Sequence, residues 1–180
     1  MLAIRFWKGL ATPPGVNAEQ WQARLGAAYW RGGMADAAVS TLRGLLAAGK
    51  PLPPEAAREV MAVAREMLAA GKLEAAGEVL RGLLPVAEGT QQRRDVLHLL
   101  GRIAEQGAQF QLAADYYLRS ALLADDKAPD ALALQARLAA ALNLVQAGFR
   151  EDARAQLEWL VKHATDPVQV DIARRELSKL

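Results

Sequence analysis

The sequence predicts an all-α protein assembled from repeated helix pairs, and three observations carry that prediction. Residues 95–123 divide at Gly107 into two amphipathic segments. Leu97, Leu100, Ile103 and Ala104 recur at helical spacing before the glycine, and Phe110, Ala113, Ala114, Tyr117, Ala121 and Leu122 do so after it. Glycines placed like Gly107 recur as Gly33, Gly71 and Gly148, so the turns lie 38, 36 and 41 residues apart, the length of two helices and a connection. The chain is also 52% hydrophobic, far from the polar composition that keeps a chain unfolded, so it should fold throughout.

Composition narrows the function classes. Cysteine is absent, which excludes disulfides and thiolate metal sites. Lys+Arg 22 against Asp+Glu 20 gives a net charge of +2, weak footing for nucleic-acid binding. The charge is uneven, because residues 1–50 hold Arg5, Lys8, Arg24, Arg31, Arg43 and Lys50 against only Glu19 and Asp36, so a regulatory domain contacting nucleic acid through this basic half stands as an alternative function. No apolar run approaches the roughly 18 to 20 residues of a membrane-spanning helix. The opening MLAIRFWKGLA is broken by Arg5 and Lys8 and has no clean cleavage site, which makes it a poor secretory signal. A cytoplasmic protein is the expectation, with periplasmic or membrane-peripheral placement as the alternatives.

Taken in order, residues 1–16 form an apolar arm with Leu2, Ile4, Phe6, Trp7 and Leu10, and Thr12-Pro13-Pro14-Gly15 stops any helix there. The favoured role is to cover the first repeat. The alternative is membrane contact through residues 1–12, with Arg5 and Lys8 toward anionic lipid. Asn17 is placed to cap the next helix, with Glu19 and Gln20 in its first turn. The first pair, about residues 17–49, places Trp21, Leu25, Gly26 and Tyr29 on one helix and Ala37, Ala38, Leu42 and Leu45 on the other. Gly49 to Pro54 separates it from the second pair, about 54–86, because proline is tolerated at a helix start and not inside one. Val60, Val63, Ala64, Met67 and Leu68 line one helix of that pair, and Leu73, Ala76, Val79, Leu80 and Leu83 the other.

The third pair is 92–124, followed by a loop from Asp125 to Asp130. In the fourth, 130–164, Leu138, Ala141, Leu142 and Val145 precede Gly148, and Ala153, Leu157, Leu160 and Val161 follow it. Asp166-Pro167 then opens a last helix, 166–180, with Val170, Ile172, Ala173 and Leu177 apolar. It has no second helix after it, so the expected role is to cap the core of the preceding pair.

Leu100-Gly101, Ala113 and Tyr117, like Leu25-Gly26-x-x-Tyr29 in the first pair, resemble the tetratricopeptide repeat, whose order is Leu-Gly, Tyr, Ala, Phe or Tyr, Ala, Pro. The second pair departs from it, with Ala64 at the glycine position and Met67 at the tyrosine position. The periods exceed the family's 34 residues, and Gly107 stands one position early relative to Ala113. The resemblance implies a right-handed α-α superhelix, a solenoid in which no pair buries its apolar faces without a neighbour. It also implies protein binding: a scaffold or assembly chaperone, of bacterial type from the Ala- and Arg-rich composition, that holds a partner peptide in a concave groove.

Catalysis has little to draw on. His98 and His163 are the side chains that titrate near neutrality, and neither sits in a metal-ligand spacing or beside a recognisable nucleophile motif. No cofactor is expected. Asp125, Asp126 and Asp130 lack the Gly and terminal Glu of a calcium loop, and Asp130 is better read as a helix cap. Arginine supplies 16 of the 22 basic residues, which suits bidentate binding of carboxylates. The resemblance implies that Arg58, Arg65 and Arg102 line the groove from first helices. Arg24, Arg31, His98, Gln135 and Asn143 stand beside them, so the expected partner is an acidic peptide or a free C-terminal carboxylate. Intrahelical pairing such as Glu55 with Arg58 is the competing reading, worth only about 0.3 to 0.5 kcal/mol per pair.

Overall fold

A computed structural model of the protein describes residues 15, 17–125 and 128–180. Residues 1–14 and 16 of the apolar arm, together with Asp126 and Lys127, lie outside the described residues. Those residues form nine α-helices and no strand: α1 Ala18–Arg31, α2 Ala35–Leu46, α3 Pro54–Ala69, α4 Leu73–Leu83, α5 Gly89–Gln106, α6 Phe110–Leu122, α7 Ala131–Gln146, α8 Arg150–His163 and α9 Pro167–Leu177, with a short 3-10 turn at Leu84–Val86. None of these helices is long and apolar enough to cross a membrane.

The chain packs as two compact units, one ending at Gly89 and the other running from Thr90 to Leu180. In the first, α1 pairs with α2 and α3 with α4, while α1 also packs on α3 and α2 on α4. In the second, α7 packs on α6 and α8, and α9 rests on α8 and α7. Ala173 of α9 is fully buried in one cluster with Leu134, Ala141, Leu157 and Leu160.

Helix starts follow from local hydrogen bonding. Asn17 Oδ1 accepts the Gln20 N–H at 3.0 Å, Asp130 Oδ1 the Ala133 N–H at 2.9 Å, and Asp166 Oδ1 the Val168 N–H at 2.9 Å. Each satisfies a donor that the helix itself leaves open. Pro54 and Pro167 stand in the first turns of α3 and α9, where a missing N–H is harmless.

One register runs through all four pairs. Gly26, Ala64, Gly101 and Ala141 hold equivalent places on the first helices; sixteen residues later come Leu42, Leu80, Tyr117 and Leu157, each 2% exposed or less. A Cβ on Gly26 would lie 2.5 Å from Leu42 Cδ2, so the helices approach closely only because no side chain intervenes. Twelve residues after each small residue stands a fully buried alanine: Ala38, Ala76, Ala113 and Ala153. The bulky positions compensate each other. In the first repeat the buried ring is Tyr29, on the first helix, whereas in the third it is Tyr117, on the second helix, and the position equivalent to Tyr29 is Ala104. The second and fourth repeats hold Met67 with Leu80 and Leu144 with Leu157 at the same two places, aliphatic at both.

The same register corrects the turns. The left-handed residue falls seven positions after the small one, on Gly33, Gly71 and Gly148, but in the third repeat on Ala108 (φ 54) rather than on Gly107. The hydrogen bonds agree. Met34, Lys72, Gln109 and Phe149 donate back to Tyr29, Met67, Ala104 and Leu144, closing the same helix-terminating turn each time. The apolar stripes also differ in detail. Leu122 is 59% exposed, and α7 buries Ala133, Ala136, Ala140, Ala141 and Leu144 while Leu138, Leu142 and Val145 stay half-buried.

Candidate functional site

In the first unit, α1 and α3 lie side by side and their outer faces carry the long polar side chains. Gln20, Arg24, Glu55, Arg58, Glu59 and Ala62 line a cleft of about 380 Å³. Arg24, Arg58 and Arg65 are exposed. Arg31 is engaged: its Nη1 donates to Glu59 Oε1 at 3.0 Å and its Nη2 to Glu66 Oε1 at 2.9 Å, and the Glu66 bond is the main cause of its raised pKa. Gln20 Nε2 donates to Glu55 Oε2, and Arg58 stands 4.0 Å from the same carboxylate. Glu55, Glu59 and Glu66 recur on the face that carries Arg58 and Arg65, so this surface mixes both signs where the sequence suggested a basic one.

These bonds join successive repeats. Gln20 with Glu55, Arg31 with Glu66 and, between α2 and α4, Arg43 with Glu78 at 3.1 Å are all 35 residues apart. Arg43 is 66% and Glu78 36% exposed, so such a partly solvated pair contributes under about 1 kcal/mol and mainly fixes the register between helices.

In the second unit the cross-repeat bonds are better buried. Arg94 of α5, only 4% exposed, reaches Asp130 with Nη1 at 2.7 Å and Nη2 at 2.5 Å. The guanidinium, and next the Ala133 N–H, hold the Asp130 carboxyl down at about 2. At the other end of α5, Glu105 Oε2 accepts the Tyr117 hydroxyl at 2.8 Å and Oε1 accepts Asn143 Nδ2 at 3.0 Å. Burial first, and then Glu105, pushes the Tyr117 phenol up.

Of the residues expected here, Arg102 and Gln135 are exposed. Asn143 is 2% exposed, its amide donating to Glu105 and to the Ala139 carbonyl. His98 is half-buried and meets the Tyr117 ring edge-on at 5.2 Å. Burial, with Arg102 second, lowers its pKa. Arg94 and Glu105 are the residues that sequence reasoning passed over, although the 36-residue separation of Arg94 from Asp130 matches the repeat.

His163 stacks on Trp159 at 4.3 Å with Nδ1 2.8 Å from the Trp159 carbonyl oxygen, and the Arg137 guanidinium lies 3.7 Å from the centroid of the Trp159 ring. This stack joins α7 to α8. Among the described residues no group of three or more His, Asp or Glu side chains is placed to hold a metal ion.

No family model matches the chain, and no curated protein does. Among solved structures it is similar to the TPR-like repeats of a kinesin light chain from Podosopora anserina, at 18% identity and a TM-score of 0.51, over 92% of this chain and 89% of that one. With the register above, that likeness makes the fold a TPR-like helical repeat.

Proposed function

We infer from the TPR-like repeat fold that the protein is a non-enzymatic scaffold or assembly chaperone, which holds a peptide segment of a partner protein against the outer faces of its first helices. One observation supports this most. On α1 and α3 the faces turned toward α2 and α4 are filled with small and apolar residues, whereas exposed Arg24 and Arg58 line a cleft on the opposite face and Arg65 is exposed farther along α3. Those guanidiniums are suited to an acidic side chain or a C-terminal carboxylate, through charged hydrogen bonds worth roughly 1.5 to 3 kcal/mol each. Arg31 contributes less, because Glu59 and Glu66 already hold it.

The test is co-purification from the native host with wild type and with the double variant Arg58→Glu, Arg65→Glu, with circular dichroism on both. The expected result is a folded variant that loses its clients. A folded variant with unchanged clients overturns this placement of the binding face.

A further inference from the structure

A second cleft, of about 370 Å³, opens in the Thr90–Leu180 unit, with Glu105, Asn143, Gln146, Glu176 and Lys179 as polar lining and Phe110, Leu142 and Val145 as apolar lining. Its hydrogen bonding is unbalanced. Lys179 Nζ is 2.7 Å from Glu176 Oε1, so the cation of the cleft is already engaged. Glu105 accepts only the neutral donors of Tyr117 and Asn143. Both amide hydrogens of Asn143 are used, on Glu105 and on Ala139, which fixes the orientation of that amide and leaves its buried Oδ1 without a donor. Among the described residues the Glu105 carboxylate therefore has no cation on it, and an unmet acceptor lies beside it, in a site of small-ligand size.

We propose that this cleft binds the cationic side chain of a partner peptide, an arginine or a lysine, with its charged head on Glu105 and Asn143 Oδ1. These are the side chains that combine a positive charge near neutral pH with several donors and no acceptor. Their methylene stems suit the apolar residues Phe110, Leu142 and Val145. Glu105 is presented rigidly, since Tyr117 on α6 and Asn143 on α7 each hold one of its oxygens. The proposal rests on the reading of the protein as a peptide-binding scaffold and adds a chemical preference to it, opposite in sign to that of Arg58 and Arg65.

The test pans the full chain against a random heptapeptide library, then measures the selected peptides by fluorescence anisotropy. Wild type, Glu105→Gln and the Arg58→Glu, Arg65→Glu variant are compared, and each peptide is also made with citrulline for arginine or norleucine for lysine. The expected result is a shared arginine or lysine whose neutral replacement weakens binding at least about tenfold, as one charged hydrogen bond would. Glu105→Gln should give the same loss, with no further loss when both changes are combined.

Peptides that bind wild type but tolerate both changes overturn the proposal and leave the scaffold reading standing. A library that yields no binder at all overturns both. A second copy of the chain as occupant also overturns it, and is recognised if Glu105→Gln converts a dimer to monomer in sedimentation velocity. Should Glu105→Gln not fold, the neutral peptides decide the matter alone.

Discussion

Gly101 and Tyr117 are fitted to each other: a Cβ on Gly101 would lie 2.7 Å from two carbons of the Tyr117 ring. The ring is 2% exposed and packs with Ala104, Ala113 and Ala140. Tyr117→Ala should therefore cost about 3 to 5 kcal/mol, as large aromatic truncations in cores do. Urea unfolding measures it, and a loss under about 0.5 kcal/mol would place the ring at the surface and the register in error.

The same contact predicts a reversal of sign. Gly101→Ala alone should destabilise, because overpacking costs about 1 to 3 kcal/mol and the helix-propensity gain over glycine is only about 1 kcal/mol. In the Tyr117→Ala background the ring is gone, so the same substitution should stabilise by about 1 kcal/mol. A double-mutant cycle reads the coupling directly, and additive effects would separate the two residues.

Ala108→Gly should stabilise the protein, by about 1 kcal/mol at most. An L side chain in the left-handed region costs about 1 to 2 kcal/mol, and the greater freedom of glycine in the unfolded chain returns about 0.4 to 1 kcal/mol of that. Gly107→Ala, at a position with negative φ, should not destabilise comparably. Melting curves of the two variants would rank them, and the opposite ranking would restore Gly107 as the turn residue.

This turn shows what the sequence made legible and what it did not. Small residues, alanines and bulky residues at fixed offsets are apolar signals, and they locate the helix pairs from Gly26 through Leu157. Gly107 misleads because glycine marks turns generally, whereas counting seven from Gly101 would have reached Ala108. Partner choice among polar groups is less local. Arg31 is drawn to Glu59 and Glu66 by the packing of α1 on α3, which only the 35-residue spacing hints at. Asn143 is obscured differently: α7 carries alanine and leucine on every side, so periodicity there marks no solvent face.

The Arg94–Asp130 pair predicts an acid-dependent loss of stability. The folded pKa of Asp130, about 2, lies below its ordinary 3.8. Its stabilising effect is therefore complete above about pH 4 and is lost as pH falls through 4 toward 2. Asp130→Asn keeps a capping oxygen for Ala133 while removing the charge. Because the Asp130 side chain is 53% exposed, screening should limit the difference between the two proteins to about 1 kcal/mol. Urea midpoints from pH 7 to 2.5 should show a constant gap that closes only in the acid range, and a gap unchanged at pH 2.5 would contradict the pairing.

His98 should titrate below its ordinary 6.5, because burial opposes the charged ring and Arg102 adds a like charge. The sign follows from that direction. A histidine whose folded pKa is depressed contributes its full stability above 6.5, where it is neutral in both states, and that contribution is lost as pH falls through the folded value. Arg102→Gln removes the smaller cause, so it should raise the His98 pKa while leaving it below 6.5. Asp95 and Glu105 act in the opposite direction, and Glu105→Gln should lower the value further. Proton–nitrogen correlation spectra of the ring across pH 4 to 8 measure all three proteins. A His98 that titrates at or above 6.5 in the wild type would mean that the ring is solvated, and that its edge contact with Tyr117 is not kept in solution.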